Sequence, residues 1–231
     1  MNFEKNIGTT NNDWHRALRV TAAVLIFFVL QHYFRRFGQP IEKIYFNILF
    51  ASIALTGLTM IAASYLMGPL ARLWPVKWIK YRDIRKQFGL IGLAFVAFHV
   101  FLALTVLAPA YYPKIFSEGG KLSELGQISM LTGVLGFVIF IILAITSLPS
   151  VATNMTERGW LFVQRSGLIA IILSVLHFAV FKWRGWFDWN NWNNNIPPGT
   201  FVATVFVALV FLIRAIVYVS ERKKRKADNM G

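Results

Sequence analysis

The feature of this sequence that most limits its fold is a series of long stretches without a charged residue. The four longest lie between Lys43 and Arg72 (28 residues), Lys86 and Lys114 (27), Glu124 and Glu157 (32), and Asp188 and Arg214 (25). A helix needs about 20 largely apolar residues to cross the hydrocarbon core of a bilayer, so each stretch can hold one span. The composition agrees, because 56% of the 231 residues are hydrophobic and only 15% are charged.

Two shorter segments complete the set of spans. The apolar run 20–30 is followed by Arg35 and Arg36 without a small-residue cleavage pattern, which indicates an uncleaved span rather than a signal peptide. Another 16 uncharged residues precede Lys182, and they reach spanning length if Arg165 directs its charge to the interface. The sequence therefore predicts an all-α integral membrane bundle of six transmembrane helices. Their approximate bounds are 17–34, 44–67, 88–108, 127–148, 161–182 and 200–219.

The basic residues predict the orientation of the bundle. There are 24 Lys and Arg against 10 Asp and Glu, and 17 of the 24 lie on the side of the two termini and the loops 68–87 and 149–160, counting Arg19, Arg165 and Arg214 in the adjoining spans. The positive-inside rule then places both termini in the cytoplasm. We expect the protein to lie in the inner (cytoplasmic) membrane of the cell. The predicted organisation is a cytoplasmic segment 1–16, a membrane domain 17–219 and a basic cytoplasmic tail 220–231. This tail is expected to meet anionic lipid rather than nucleic acid.

Several kinds of chemistry are excluded by composition. The chain has no cysteine, which excludes disulfides, thiolate zinc sites, cysteine-held iron–sulfur clusters and cysteine nucleophiles. A phosphate-cradling glycine loop and the zinc motif HExxH are absent too, and no carboxylate lies inside a predicted span. About a dozen residues follow the last predicted helix, too few for a nucleotide-binding domain. Redox chemistry in this chain would need histidine or a bound cofactor.

Two histidines inside predicted spans are the main candidates for function. His99 lies in the third span and His177 in the fifth, at roughly 17 and 24 Å from the cytoplasmic ends of these parallel helices. Two neutral imidazoles at a similar depth can ligate the iron of a haem. Gly92 and Ala170 precede them by two turns and would leave room for a flat macrocycle. The alternative is that both histidines are structural and that the small residues only pack helices.

Two segments resemble a known family. The segment RDIRKQFGLIGLAFVAFHVFLAL, Arg82 to Leu104, is similar to the third helix of the ferric reductase-like transmembrane domain. The segment ITSLPSVATNMTERGWLFVQRSGLIAIILSVLHF, Ile145 to Phe178, is similar to that family's connection between its fourth and fifth helices. In length the chain looks most like the stand-alone haem-binding subunits of the MsrQ type. The resemblance implies a membrane electron-transfer protein with haem b held by His99 and His177.

One position departs from the family pattern. Family members commonly carry a histidine 13 residues before the last one, where this chain has Gln164. That ligand would serve a second haem about 20 Å nearer the cytoplasm, where Arg85 and Lys86 of the third helix cannot ligate iron. His15 and His32 lie near opposite ends of the first helix and do not replace the missing pair. We therefore expect one haem b per chain.

With one haem, electrons must be delivered from the cytoplasmic side. A basic, partly aromatic rim there could take a flavin phosphate (FMN or FAD), a quinol head group or an acidic donor protein. Its members are Arg82, Arg85, Lys86, Arg158, Trp160 and Arg165. The alternative is that these residues only fix topology and bind lipid. His32 is equally compatible with quinone or acceptor binding and with a plain interfacial position.

The sequence thus predicts a haem b membrane protein that passes single electrons from a cytoplasmic flavin reductase or a quinol to an acceptor outside. That acceptor would be an external oxidoreductase or a metal. Whether the chain is itself an enzyme stays open, since partners would complete an oxidoreductase. A quinol-linked ferric reductase is the alternative of the same class, and a non-catalytic membrane scaffold or transporter component is the alternative of a different class.

Overall fold

The structure, a computed structural model, describes residues 11–228, so the predicted segments 1–16 and 220–231 fall partly outside the described residues. Its long helices are α1 (Asn11–Arg35), α2 (Ile41–Leu73), α3 (Arg85–Thr105), α4 (Glu124–Thr146), α5 (Glu157–Trp186) and α6 (Gly199–Asp228). Six helical segments are long and apolar enough to cross a membrane. Within residues 11–228 the β-structure is limited to one isolated bridge between Phe116 and Leu122. The predicted all-α fold of six membrane helices is confirmed.

The helix ends follow local chemistry. Ser123 and Thr156 cap α4 and α5, each accepting a hydrogen bond from a backbone N–H three residues on, at 3.1 and 3.2 Å. At the end of α2 the chain turns at Trp74 into two short helical segments, Pro75–Trp78 and Ile79–Ile84, which lead into α3. The last helix runs beyond the predicted end at residue 219, because the basic segment that follows has high helix propensity.

Because the spans alternate in direction, the bundle has two faces with different charge. We call the face with the start of α1, the end of α6 and the connections 74–84 and 147–156 the basic face, and the other the opposite face. The opposite face holds the connections 36–40, 106–123 and 187–198. That the basic face is cytoplasmic stays a prediction.

The centre of the bundle is α2, against which α1, α3 and α6 pack, while α4 and α5 form a hairpin with each other. The backbones of α2 and α3 approach closely where two glycines meet. A Cβ on Gly92 would lie 2.9 Å from the carbonyl oxygen of Gly57 and 2.7 Å from the side chain of Ile61. A buried apolar cluster joins the hairpin to the other helices. Its members are Leu58, Ile61, Ala62, Phe140, Leu143, Ala170, Ile171, Val207 and Val210.

The connection 187–198 is fastened to the end of α1 on the opposite face. The side chains of Gln31 and Arg35 donate to the main-chain carbonyls of Pro197 and Ile196. In the other direction, Asn194 donates to the carbonyl of Phe34 at 2.7 Å. These bonds hold the tryptophan-rich connection against the bundle.

Candidate functional site

His99 and His177 lie on the parallel helices α3 and α5, in the half of the bundle next to the opposite face. His99 is about 9 Å from the opposite-face end of α3, and His177 about 14 Å from that of α5, from their residue spacing. The fold therefore places the two histidines that the sequence singled out in the same half of the bundle.

The ring of His177 is fixed by α4. Its Nδ1 lies 2.8 Å from the carbonyl oxygen of Ser129, and the Ser129 hydroxyl donates to the carbonyl of His177 at 2.7 Å. A carbonyl only accepts, so Nδ1 carries the proton and Nε2 keeps its lone pair. The ring also occupies the space above Gly133, where a Cβ would lie 2.6 Å from Nδ1. His177 is therefore held in the tautomer that a ligand to a metal requires.

The surroundings of His99 are apolar. Its ring packs against Phe50 of α2, with centroids 4.4 Å apart, and Phe50 in turn lies 5.9 Å from Tyr112 in the connection 106–123. The ring is near the main chain of Phe50, but the buried Nδ1 has no hydrogen bond of standard length and angle with a described residue. The Tyr112 hydroxyl is also buried without a partner among those residues, and burial raises its pKa, so it stays a proton donor.

These two residues would suit a planar cofactor whose metal needs two ligands from the protein. Among residues 11–228 there is no group of three or more His, Cys, Asp or Glu side chains that could hold a bare metal ion. A pair of imidazoles suits a metal that brings its other donors with it, as iron does in a porphyrin. Packing agrees, because α3 rests mainly on α2 and α5 mainly on α4, with little direct contact between α3 and α5.

The small residues two turns before each histidine lie in helix contacts. Gly92 is buried against Gly57 and Ile61 of α2, and Ala170 is fully buried in the cluster shared by α2, α4, α5 and α6. Ser174 donates to the carbonyl of Ala170 in its own helix at 2.8 Å. Close packing accounts for the small size of Gly92 and Ala170. That they also leave room for a haem macrocycle stays a prediction.

A second feature is a cavity of about 720 Å³ that opens at the basic face. Six arginines line it, and Glu221, which pairs with Arg72 at 3.0 Å, is the one carboxylate among the described residues of its wall. The full lining is Tyr65, Gly68, Pro69, Arg72, Arg85, Leu161, Gln164, Arg165, Arg214, Val217, Tyr218, Glu221, Arg222 and Arg225. Such a surplus of guanidinium groups suits an anionic ligand.

The inner wall of the cavity is organised around Tyr65. Pro69 lacks an N–H, so the carbonyl of Tyr65 loses its helical partner, and Arg214 of α6 donates to it at 3.1 Å. The Tyr65 hydroxyl donates to the carbonyl of Gln164 at 2.8 Å. The Gln164 side chain reaches the Ser147 hydroxyl at 3.1 Å. These bonds tie α2, α5 and α6 together between the cavity and the apolar cluster.

The cavity gathers only part of the predicted basic rim. Of the rim members, Arg85 and Arg165 line it, whereas Lys86 and Arg158 are exposed and outside its lining. Two other rim members bond elsewhere. Trp160 donates to the carbonyl of Thr146 at 3.1 Å, and Arg82 lies 3.5 Å from Asp83. The roles of Arg85, Lys86 and Arg158 in donor binding stay predictions.

The sequence reasoning missed residues of both sites. Arg214, the single charge inside an otherwise apolar last span, was the available signal for the cavity. Ser129 and Gly133 lie four residues apart in the fourth span, a spacing that puts them on one helix face, but nothing in the sequence marks them as neighbours of His177. That contact depends on how α4 packs on α5.

Comparison with known families gives one match. The family described as "Ferric reductase like transmembrane component" matches residues 50–175. The matched region contains His99, Ser129 and Gln164, and it ends two residues before His177.

Curated relatives point in the same direction. Metalloreductase STEAP2 of Homo sapiens is 24% identical over 92% of this chain and 51% of its own length, and STEAP2 of Mus musculus gives the same values. Metalloreductase STEAP3 of Rattus norvegicus is 24% identical over 80% of this chain and 43% of its own length. The chain thus spans about half the length of the curated relatives it matches.

Proposed function

The chain belongs to the ferric reductase-like transmembrane family, and we propose that it is a haem b protein that carries electrons across a membrane. A donor would deliver them at the basic face and an acceptor would take them at the opposite face. By the positive-inside rule the basic face is cytoplasmic, in the inner membrane of the cell.

The single observation that carries the proposal is the pair His99 and His177 on neighbouring parallel helices, with Nδ1 of His177 bonded to the Ser129 carbonyl. Bound between two imidazoles, haem b supplies reversible one-electron chemistry. His99 and His177 would hold the haem through one nitrogen each, and the chain fixes the tautomer of His177 and packs the ring of His99 against Phe50.

The arginine-lined cavity is the proposed donor site. Its level is that of Gln164, about 20 Å along α5 from His177. Guanidinium groups bind phosphate through paired hydrogen bonds, so the lining favours a phosphate-bearing flavin, FMN or FAD, over an uncharged quinol. A soluble flavin reductase would reduce that flavin again after each transfer. A quinol or an anionic lipid head group remains the alternative occupant.

The acceptor is proposed to be a metal ion or its chelate, since the printed names of the relatives describe them as metalloreductases. The sequence reasoning also allowed an external oxidoreductase. The acceptor would meet the opposite face near the connection 106–123, which carries Tyr112 and lies on the same side of the bundle as the histidines.

The proposal is tested by spectroscopy of the protein purified in detergent. The wild type should show a low-spin, six-coordinate b-type haem, and His99→Ala and His177→Ala should each lower the haem content. His15→Ala is the control, because His15 is exposed near the start of α1. A wild-type spectrum in both membrane-histidine variants would overturn the site. Purification of the folded protein without haem, even after haem is added, would favour the scaffold or transporter alternative.

The donor site is tested with a matched pair of basic residues in α3. Arg85 lines the cavity and its neighbour Lys86 does not, so Arg85→Gln should weaken FMN binding and slow flavin-dependent reduction more than Lys86→Gln does. Equal effects of the two substitutions would remove the cavity as the donor site. Reduction by a quinol but not by reduced flavin would instead favour a quinol-linked ferric reductase.

A further inference from the structure

The contact between Ser129 and His177 is reciprocal and involves main-chain groups of both helices. The Ser129 hydroxyl donates to the carbonyl of His177, and His177 Nδ1 donates to the carbonyl of Ser129, at 2.7 and 2.8 Å. Because main-chain atoms take part on both sides, the bonds fix the register of α4 against α5. They also limit rotation of the imidazole, since turning the ring would leave a buried N–H without an acceptor.

Gly133 makes this contact possible. In a helix the carbonyl of one residue points toward the residue four positions later, so the Ser129 carbonyl is next to Gly133. A Cβ at Gly133 would lie 2.6 Å from Nδ1 of His177, shorter than real Cβ contacts, and 3.0 Å from Cε1, tighter than most of them. Glycine therefore uncovers the carbonyl for the ring. We call Ser129 and Gly133 together the α4 notch.

His99 has no equivalent of the α4 notch. Its Nδ1 is buried without a standard hydrogen bond to any described residue, and its ring rests on the ring of Phe50, tilted by 50°. A contact with an aromatic ring does not distinguish one imidazole nitrogen from the other. The main chain of Phe50 lies near Nδ1 of His99 without forming a hydrogen bond of standard length and angle, so the present orientation of His99 is less strongly fixed than that of His177.

We propose that the α4 notch makes His177 the anchoring haem ligand and leaves His99 the exchangeable one. The His99 side of the iron would then accept a small neutral molecule such as carbon monoxide or imidazole. An N–H bonded to a carbonyl orients a ligating histidine and makes it a stronger donor, an effect worth about 10- to 100-fold in metal affinity. This inference rests on the proposed haem function.

The first test compares the two histidine variants in the purified protein, with haem content per chain and carbon monoxide uptake as readouts. His177→Ala should lose about tenfold more haem than His99→Ala. The reduced His99→Ala protein should keep a five-coordinate haem that takes up carbon monoxide, and added imidazole should restore a six-coordinate spectrum. Equal haem loss in the two variants, or greater loss in His99→Ala, would overturn the inference.

The second test targets the notch with a matched glycine pair on α4. Gly133→Ala places a Cβ against the His177 ring, whereas a Cβ at Gly136 would meet the Ala170 carbonyl at 3.3 Å and the Ser174 hydroxyl at 3.4 Å. Both glycines face α5, but only the first touches the histidine. Haem affinity should fall about tenfold in Gly133→Ala and stay close to wild type in Gly136→Ala. Equal affinities would contradict the proposal.

The outcomes separate this inference from the proposed function. If neither histidine variant changes haem content, the haem site itself is wrong. If both histidines matter equally and the two glycine variants behave alike, the haem site stands and the unequal roles are wrong. Should Gly133→Ala fail to fold as a monodisperse protein, the comparison of the histidine variants decides alone.

Discussion

Gln164 occupies the position 13 residues before His177 where a second ligand would be expected in this family. Its side chain is engaged with the Ser147 hydroxyl at 3.1 Å, and its carbonyl accepts from Tyr65 at 2.8 Å. Arg85 lines the same cavity and cannot ligate iron. Around Gln164 the bundle therefore holds hydrogen-bonding and cationic side chains rather than side chains that could ligate a haem iron.

The purified protein should accordingly contain about one haem per chain, measured by the pyridine haemochrome assay against protein concentration. Gln164→His should not raise that value, because a single new imidazole would face arginine across the cavity. A reproducible content near two in the wild type would show that a second site exists with an unforeseen ligand.

Gly167 on α5 lies directly under the hydroxyl of Tyr65, and an added Cβ would overlap both that oxygen and the side chain of Leu143. Gly167→Ala should therefore lower stability by about 2 kcal/mol through overpacking. Gly185→Ala, on the same helix with open space around it, should be neutral or slightly stabilising because alanine favours helix. Thermal unfolding in detergent measures both, and equal midpoints would contradict the packing.

At the scale of elements, the attachment of α6 to α2 depends on a helix defect. Pro69 frees the carbonyl of Tyr65, and Arg214 donates to that carbonyl at 3.1 Å. The guanidinium also lies over the Tyr65 ring, with its central carbon 5.7 Å from the ring centroid. A charged residue inside the last span is thereby satisfied by α2 rather than by lipid.

A double-mutant cycle tests this coupling. Arg214→Gln should destabilise the wild-type background by about 1 kcal/mol. In the Pro69→Ala background it should cost less, because alanine restores an N–H to the Tyr65 carbonyl. Unfolding free energies in detergent give the coupling, and additive effects of the two substitutions would show that the bond does not depend on the proline.

The elements were largely predictable and their side-chain partners were not. Charge-free stretches located the six spans, since lipid allows few alternatives to a continuous helix, although α1 begins and α2 ends six residues outside the predicted bounds. The length of the last helix was underestimated, because charged residues end the membrane-spanning part of a helix but do not end the helix itself. The pairing of His177 with Ser129, and the meeting of Arg72, Arg165 and Arg214 in one cavity, depend on helix rotation and packing, which apolar sequences specify weakly.

At the scale of the whole molecule, the two sites lie toward opposite ends of the bundle. The cavity opens at the basic face and the histidines lie in the half next to the opposite face, with the apolar cluster between. Such a separation suits a protein that receives electrons on one side and releases them on the other.

Residues 11–228 are occupied by helices and short connections and hold no separate nucleotide-binding unit. On the proposed function electrons reach the haem through a flavin donor, so NAD(P)H alone should not reduce it, whereas NAD(P)H with FMN and a flavin reductase should. Stopped-flow absorbance at the haem bands follows the reaction. Fast reduction by NAD(P)H alone would contradict this account, as would labelling of single-cysteine variants that placed connection 74–84 outside the cell.

The arrangement of α4 and α5 as a hairpin affects how the protein is made. These helices pack mainly on each other and join the rest through the shared apolar cluster, yet they carry His177, while His99 sits among α1, α2 and α3. On the proposed assignment, cofactor loading would join a late-synthesised pair of helices to an early-synthesised group. In a cell short of haem, inserted chains would then accumulate in which the hairpin α4–α5 is only weakly attached to α1, α2 and α3. Membrane proteases would degrade these chains.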